Sequence, residues 1–371
     1  MQHDFRALAN VGISSLTPYQ PGKPVEEVER ELGITSSIKL ASNENPLGPS
    51  PKALQAIQNS LSSLHIYPDG SCYELKRILA SQLSVDTRQI TVGNGSENIL
   101  EIVGKAYLKS GDSAVISEYA FLTIPLIIQS FGASIIEAQA VNWSHNVDNM
   151  LNAINDNTRI LFLVNPNNPT GTYTNKQDFT KLMNAVPAHI LVVLDEAYSE
   201  YISKDDYPDA MAYLAHHPNL IISRTFSKAY GLAGLRIGYA ISSPEIADIL
   251  NRARLPFNVN SLAAKAAAAA VLDVEHVRKT VELNNAGMIQ LEDGLKKLNL
   301  DFIPSLANFI TLDVQDGGNV YQQLLREGVI VRPLNAYNMP QHIRVSIGTA
   351  EQNQRFLTAI DKVMVQEKEV I

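Results

Sequence analysis

The sequence predicts an α/β protein with a large domain, a smaller α+β domain and an N-terminal arm. The large domain is expected to carry a mainly parallel, seven-stranded sheet covered by helices. Three observations carry this prediction. At 371 residues the chain is too long for one small domain, and two domains are the natural expectation. Seven short apolar runs follow one another between Ile90 and Ile241, most of them separated by helical segments, which is the signature of a parallel sheet covered on both faces. Beyond Pro244 the helical signal dominates and short strand-like runs return only near the C-terminal end.

In chain order, the first forty residues contain Pro18, Pro21, Gly22 and Pro24, which break any long helix. They are read as an extended arm leading to a short strand near Ile38-Lys39-Leu40. Helical periodicity follows over 53–64 and 73–83. The seven strand candidates are Ile90-Thr91-Val92, then 114–117, Ser134-Ile135-Ile136, 160–164, 190–194, 220–223 and 237–241. A long helix is expected from about Val274 to Leu298, and further strands at 309–312, 329–332 and 343–346. The expected division is an arm and the start of the small domain over 1–45, the large domain over 46–260 and the small C-terminal domain over 261–371.

Composition excludes several classes. Apolar residues make up 45% and charged residues 18%, as in an ordinary globular enzyme. A net charge of −8 argues against nucleic acid as a partner, because binding a phosphate backbone needs a cationic field. Cys72 is the single cysteine, so no intramolecular disulfide forms, and it reads as a packing residue. No apolar stretch approaches the roughly 20 residues of a membrane helix. The first ten residues lack a basic segment followed by an apolar one, so no signal peptide is expected. A cytoplasmic location follows as the expectation, and the sequons at Asn94 and Asn142 then carry little weight.

Ligands of an open parallel sheet bind beyond the carboxyl ends of the strands, and the chemically loaded residues of this chain cluster at such ends. Ser223-Arg224-Thr225-Phe226-Ser227-Lys228 places a lysine just past an apolar strand, among hydroxyls and followed by Gly231, Gly234 and Gly238. A lysine in such a partly desolvated place has a lowered pKa and can form a Schiff base; on its own, a loop lysine is more often a solvated charge. Asp195 and Glu196 end the apolar run Ile190 to Leu194. A buried acid there needs a cationic partner, and a protonated ring nitrogen would serve; Tyr198 stands three residues on. An ATPase would also place Asp-Glu at a strand end, but it requires G-x-x-x-x-G-K-[ST], which the chain lacks, as it lacks the dinucleotide G-x-G-x-x-G spacing here.

Gly93-Asn94-Gly95-Ser96-Glu97 lies between a strand and a helix, where backbone amides and the helix dipole favour a phosphate. Ser96 could equally be a simple cap. With Ser227 and Arg236 it forms a candidate phosphate cup. Asn165-Pro166-Asn167-Asn168-Pro169-Thr170-Gly171 holds two X-Pro bonds in five residues, a rigid turn able to fix Asn168. Arg332 and Arg344 each end a short strand and offer the bidentate fork that suits a carboxylate or phosphate. His216-His217 is an isolated pair, and no cluster has metal-ligand spacing, so no metal is expected.

These strand-end motifs together resemble the fold-type I aminotransferases that use pyridoxal 5′-phosphate (PLP), over nearly the whole chain. Pro18-Tyr19-Gln20-Pro21-Gly22-Lys23-Pro24, Ala41-Ser42-Asn43-Glu44-Asn45-Pro46-Leu47-Gly48, Tyr67-Pro68-Asp69-Gly70 and Gly328-Val329-Ile330-Val331-Arg332-Pro333 are similar to the histidinol-phosphate aminotransferases. The resemblance implies that the large domain binds PLP, with Lys228 as Schiff-base lysine and Asp195 as partner of the pyridine nitrogen. It implies that Tyr198 and Asn168 contact the ring oxygen, Tyr119 stacks on the ring, Gly95, Ser96, Ser227 and Arg236 hold the phosphate, and Thr225 also belongs to the cofactor-binding set. Tyr67 would reach the site of a neighbouring subunit in a homodimer with shared active sites. Tyr19, Asn43, Arg332 and Arg344 would surround the substrate.

The implied reaction is transamination of L-histidinol phosphate with 2-oxoglutarate, giving imidazole-acetol phosphate and L-glutamate in histidine biosynthesis. Lys228 would act as general base and acid. Within the same chemistry, an aminotransferase for phenylalanine or tyrosine, or a decarboxylase of amino-acid phosphates, shares several of these motifs. An inactive binding protein is disfavoured because Lys228, Asp195, Asn168 and Arg236 are all present.

Overall fold

The computed structural model describes residues 5, 7–18 and 22–370. Within them the strands are β1 (Ile38–Lys39), β2 (Ile90–Gly93), β3 (Ser113–Ser117), β4 (Ser134–Ala138), β5 (Thr158–Val164), β6 (Leu191–Asp195), β7 (Leu220–Thr225), β8 (Gly238–Ile241), β9 (Phe302–Ile303), β10 (Phe309–Asp313), β11 (Val329–Ile330), β12 (Arg332–Pro333) and β13 (His342–Ser346). The helices are α1 (Val11–Ser14), α2 (Val25–Leu32), α3 (Pro51–Gln58), α4 (Tyr73–Leu83), α5 (Ser96–Tyr107), α6 (Thr123–Ser130), α7 (Val147–Asn152), α8 (Lys176–Ala185), α9 (Pro244–Ala253), α10 (Ser261–Val271), α11 (Val274–Lys297), α12 (Gly317–Arg326) and α13 (Ala350–Val370).

Seven strands form the large sheet in the order β2-β8-β7-β6-β5-β3-β4. Six run parallel, and β8 lies antiparallel between β2 and β7. Strand alternation divides its side chains between two cores. Leu161, Leu163, Val192, Leu194, Leu220 and Ile222 pack on one face with residues of α4, α7, α8 and α10. Ile160, Phe162, Val193 and Ile221 pack on the other with residues of α5, α6 and α9. Each Leu, Ile or Phe so buried contributes about 1.5–3 kcal/mol, which explains why these strands read as continuous apolar runs rather than alternating ones.

Helix starts follow local chemistry. Ser50 caps α3 by accepting from the Ala53 amide at 3.1 Å, with Pro51 in the first turn. Ser243 and Pro244 repeat the arrangement at α9, and Asn260 caps α10. The smaller unit holds an antiparallel sheet, β12-β13-β10-β9, and the parallel pair β1-β11. Residues of α11, α12 and α13 close its core around Leu312, Val345 and Phe356.

Three features depart from the sequence reading. The segment read as an extended arm contains α2, eight residues long, because Pro24 stands at its N-cap, where a missing N–H costs nothing. Val28 on α2 is buried with Ala41, Leu325 and Ile330. Strand β9 was not anticipated; it is two residues long and pairs with β10. Helix α10, placed beyond the domain boundary at residue 260, buries Ala263, Ala266, Ala267 and Ala270 in the core of the large sheet, so that core extends to the end of α10. The small alanine side chains let it lie close to α3 and α4.

Candidate active site

The carboxyl ends of β5, β6 and β7 open onto a cavity of about 250 Å³ at the junction with the smaller unit. Ser96, Asn168, Asp195, Tyr198, Thr225, Ser227, Lys228 and Arg236 line it, together with Ser42, Glu44, Glu97 and Phe121. Residues up to 194 positions apart in sequence thus share one enclosure, those at the strand ends because parallel strands bring their ends together.

Lys228 leaves the chain three residues after β7 and is partly buried. Its Nζ donates to the Ser42 carbonyl at 3.1 Å and stands 5.9 Å from the centre of the Tyr198 ring. Burial, reinforced by the positive field of Arg344, lowers its pKa to about 8. The neutral amine, which is the nucleophilic and basic form, is therefore accessible near neutral pH.

Asp195 ends β6 and is 4% exposed, with no hydrogen-bond partner for Oδ1. Burial pushes its carboxyl up to about 7; Glu196 adds to the rise, while the Ala197 amide and Lys228 oppose it. An orphaned carboxylate oxygen at this depth suits a cation or an N–H donor. The Tyr198 ring packs edge-on against Phe309 at 5.3 Å, and its oxygen accepts from Asn43 Nδ2 at 3.0 Å. That bond leaves the phenol proton free to donate, and burial raises the phenol's pKa, keeping the proton in place. Asn43 is itself fixed through its amide and Oδ1 by Ser346 Oγ, at 2.8 and 3.0 Å.

At the other end of the cavity, α5 begins at Ser96 after Gly95, whose φ is +93°. A Cβ on Gly95 would stand 2.7 Å from Arg236 Nη2, so the bare backbone is what lets the guanidinium approach. Arg236 Nη1 donates to Ser227 Oγ at 3.3 Å, and Nη2 stands 3.6 Å from Glu97 Oε2. Thr225 Oγ1 accepts from the Ser227 amide at 3.1 Å. Helix N-terminus, hydroxyls and guanidinium form a cup with the chemistry of a phosphate site.

The Asn165–Thr170 turn carries two cis peptides, at Pro166 and Pro169. Tyr207 anchors it by donating to the Asn165 carbonyl at 2.6 Å. Asn168 Oδ1 accepts from Arg344 Nη1, and Arg344 Nη2 donates to the Ala41 carbonyl at 2.8 Å. The Arg344 guanidinium lies 5.3 Å over the Phe309 ring.

The chemistry of these features fits PLP. The phosphate cup is separated from the orphaned Asp195 oxygen by a cavity walled by Phe121, Asn168 and Tyr198, with Lys228 facing it. The resemblance implied stacking by Tyr119, but that residue does not line the cavity. It has φ of +60°, and its ring leans on Trp143 at 5.2 Å, in a cluster with Tyr337 and Met339. Phe121, two residues on, lines it instead. Arg332 stands opposite Arg344 in the register of β12 and β13 without lining the cavity. Tyr67 is 80% exposed, stacks on Phe257 at 4.9 Å and does not line this cavity. Tyr19 lies outside the described residues. Glu44 and Glu97 were missed as lining residues, although both stand inside motifs that were singled out. Among the described residues no group of three or more His, Cys, Asp or Glu is placed to hold a metal ion, and no helix is long and apolar enough to cross a membrane.

Known proteins resemble this chain over most of its length. The sequence profile of the family "Aminotransferase class I and II" matches residues 35–360. Histidinol-phosphate aminotransferase 2 of Pseudomonas aeruginosa is 55% identical over 98% of this chain and 100% of its own length. The protein of the same name from Methylococcus capsulatus is 50% identical over 96% of this chain and 98% of its own. Among solved structures, histidinol-phosphate aminotransferase from Sinorhizobium meliloti in complex with pyridoxal-5′-phosphate superposes with a TM-score of 0.87 at 27% identity, covering 96% of this chain and 97% of the other. An aspartate aminotransferase of Thermus thermophilus with maleate shares the fold, with a TM-score of 0.82 at 21% identity over 96% of this chain and 99% of its own.

Proposed function

Since the chain belongs to the class I and II aminotransferases, and among them to the histidinol-phosphate aminotransferases, we propose that it transaminates L-histidinol phosphate with 2-oxoglutarate. The products are imidazole-acetol phosphate and L-glutamate, a step of histidine biosynthesis, and the cofactor is PLP. The observation that carries the reading is the shared cavity of Lys228 and Asp195, with one lysine amine and one orphaned acid facing the same space.

When bound, PLP supplies an electron sink for the charge left on the substrate's α-carbon as its proton departs. Asp195 Oδ1 would accept from the ring nitrogen, and the Tyr198 hydroxyl and Asn168 would hold the ring oxygen. Gly95, Ser96, Thr225, Ser227 and Arg236 would hold the phosphate. Lys228 would hold the cofactor through Nζ, and the same amine is the group that would take the proton from the substrate α-carbon. Its lowered pKa keeps the accepting form populated. Arg344, with Arg332 and Tyr19, receives the anionic end of either substrate, a phosphate ester in one half-reaction and a carboxylate in the other. Asn43 sets the Tyr198 hydroxyl.

The same reading includes a homodimer. Leu61, Leu64, Ile66, Tyr67, Leu255, Phe257, Leu272 and Val274 are all at least 47% exposed, and the Tyr67–Phe257 stack and α3–α10 packing bring their segments together. An apolar patch of this kind marks a protein interface, and Tyr67 would enter the site of the partner subunit. A cytoplasmic location belongs to the reading as well.

The deciding experiment is a single-turnover absorbance assay on the PLP-loaded protein with histidinol phosphate, phenylalanine, tyrosine or glutamate added separately, and Lys228→Ala as control. Fastest conversion by histidinol phosphate is expected. Conversion by the aromatic amino acids alone would retain the class and reject the substrate.

A further inference from the structure

Behind the proposed cofactor site lies a second buried charge cluster to which no role has been given. Strand alternation turns Asp195 and Thr225 toward the cavity and Glu196 and Arg224 toward the opposite face of the sheet. There Arg224 Nε and Nη2 donate to Glu196 Oε2 at 2.9 and 2.8 Å. The Glu196 side chain is 2% exposed and that of Arg224 17%. The backbone locks the pair to the site: the Glu196 amide donates to the Ser223 carbonyl and the Asn165 amide to the Asp195 carbonyl, both at 2.9 Å.

We propose that Arg224 is a positioning residue for the cofactor, cancelling through its pair with Glu196 the negative charge that would otherwise oppose ionised Asp195 from the next residue. The inference rests on the PLP reading, because only a cationic ring partner requires Asp195 to be charged.

The electrostatic surroundings define the sign of the effect. Asp195 feels Glu196 from the residue just past its strand, Lys228 from beyond β7 and Tyr198 from the following turn. Arg224 faces Glu196, Glu200 and Tyr239, and the phenols of Tyr207 and Tyr230 feel its charge as well. Burial pushes Glu200 up to about 7, with Arg224 pulling the other way, so Glu200 is only partly charged near neutrality. Glu196 is therefore the acid to which Arg224 is committed by direct contact. Two neighbouring carboxylates in a dry setting cannot both remain ionised without such a counter-charge. Replacing Arg224 by a neutral residue leaves Glu196 uncompensated and disfavours charge on Asp195. Replacing Glu196 by glutamine leaves Arg224 uncompensated and favours it.

The test measures PLP dissociation constants of the apoprotein between pH 6 and 9 for wild type, Arg224→Met, Glu196→Gln and the double variant, with thermal unfolding of each as a control. Arg224→Met is expected to weaken binding about tenfold or more at pH 7, equivalent to one pH unit of displacement, and to move the pH midpoint of binding upward. Glu196→Gln should move that midpoint downward, and the double variant should return it near the wild-type value. Arg224→Lys should recover much of the loss. Should Arg224→Met prove unable to fold, Glu196→Gln and the double variant still decide. Affinity losses of equal size at every pH, or midpoints moving the same way in Arg224→Met and Glu196→Gln, would reduce the pair to packing and overturn the proposal. Absence of PLP binding by the wild type at any pH would reject the cofactor reading itself.

Discussion

Removing the charge of Asp195 should stabilise the cofactor-free protein, and do so only at higher pH. The carboxyl is 4% exposed, and its Oδ1 has no hydrogen-bond partner. Burial carries its pKa from 3.8 to about 7. For a group raised in the folded state, the stabilising contribution of the neutral form is complete below 3.8 and is lost as pH climbs through about 7. At roughly 1.4 kcal/mol for each factor of ten, the loss approaches about 4 kcal/mol above pH 8. Asn in place of Asp keeps the shape of the neutral acid and titrates nowhere. Urea unfolding of apo wild type and apo Asp195→Asn should give similar free energies near pH 4. The variant should become progressively more stable up to about pH 8.5. With PLP bound the order reverses, because the ring nitrogen then pairs the carboxylate, and Asp195→Asn should hold the cofactor more weakly. A stability difference between the apo forms that is independent of pH would refute the reasoning, since it would mean that Asp195 is paired or hydrated in the folded chain.

Other outcomes follow from the same geometry. Arg344→Gln should raise KM for glutamate by about thirtyfold or more, the equivalent of about 2 kcal/mol for a lost charge-assisted pair, while steady-state absorbance shows PLP still bound. Gly95→Ala should weaken PLP binding at least about tenfold by titration and cost about 1–3 kcal/mol in unfolding assays, as its φ is +93° and the new methyl meets Arg236 at 2.7 Å. Tyr67→Ala and Lys228→Ala should each be inactive as homodimers, yet mixed and reassembled they should regain about a quarter of wild-type activity, because half the dimers then hold one complete site.

The large domain was legible because a sheet buried on both faces writes itself as apolar runs, and all seven runs between Ile90 and Ile241 correspond to strands. The strand-end residues were legible for a related reason: Asp195, Thr225 and Lys228 stand where an apolar run stops, and parallel topology brings those ends together. What failed was local. Phe121 was not singled out, because an aromatic in a loop gives no sign of its direction, and a positive φ on a non-glycine residue such as Tyr119 is not written in sequence. Helix α2 hid behind prolines that sit just ahead of it rather than inside it. The boundary at residue 260 misjudged α10, whose alanines carry too weak a periodicity to say which core they enter. The role of Asn43 in fixing the Tyr198 hydroxyl depends on a contact across 155 positions, beyond the reach of any spacing argument.

The bonds of Arg344 have a mechanical consequence. Its guanidinium joins β13 of the smaller unit to Asn168 on the large-domain turn and to the Ala41 carbonyl on the segment leading in from the N-terminal side. In the proposed function the same fork must also grip the substrate's anion. An arriving carboxylate or phosphate therefore competes for donors that already clasp three parts of the chain to one another. Substrate capture becomes an exchange of ties rather than an addition of one, so occupancy of the site is transmitted directly to the seam between the two units. A latch of this kind needs no separate sensor, because the group that detects the ligand is the group that fastens the seam.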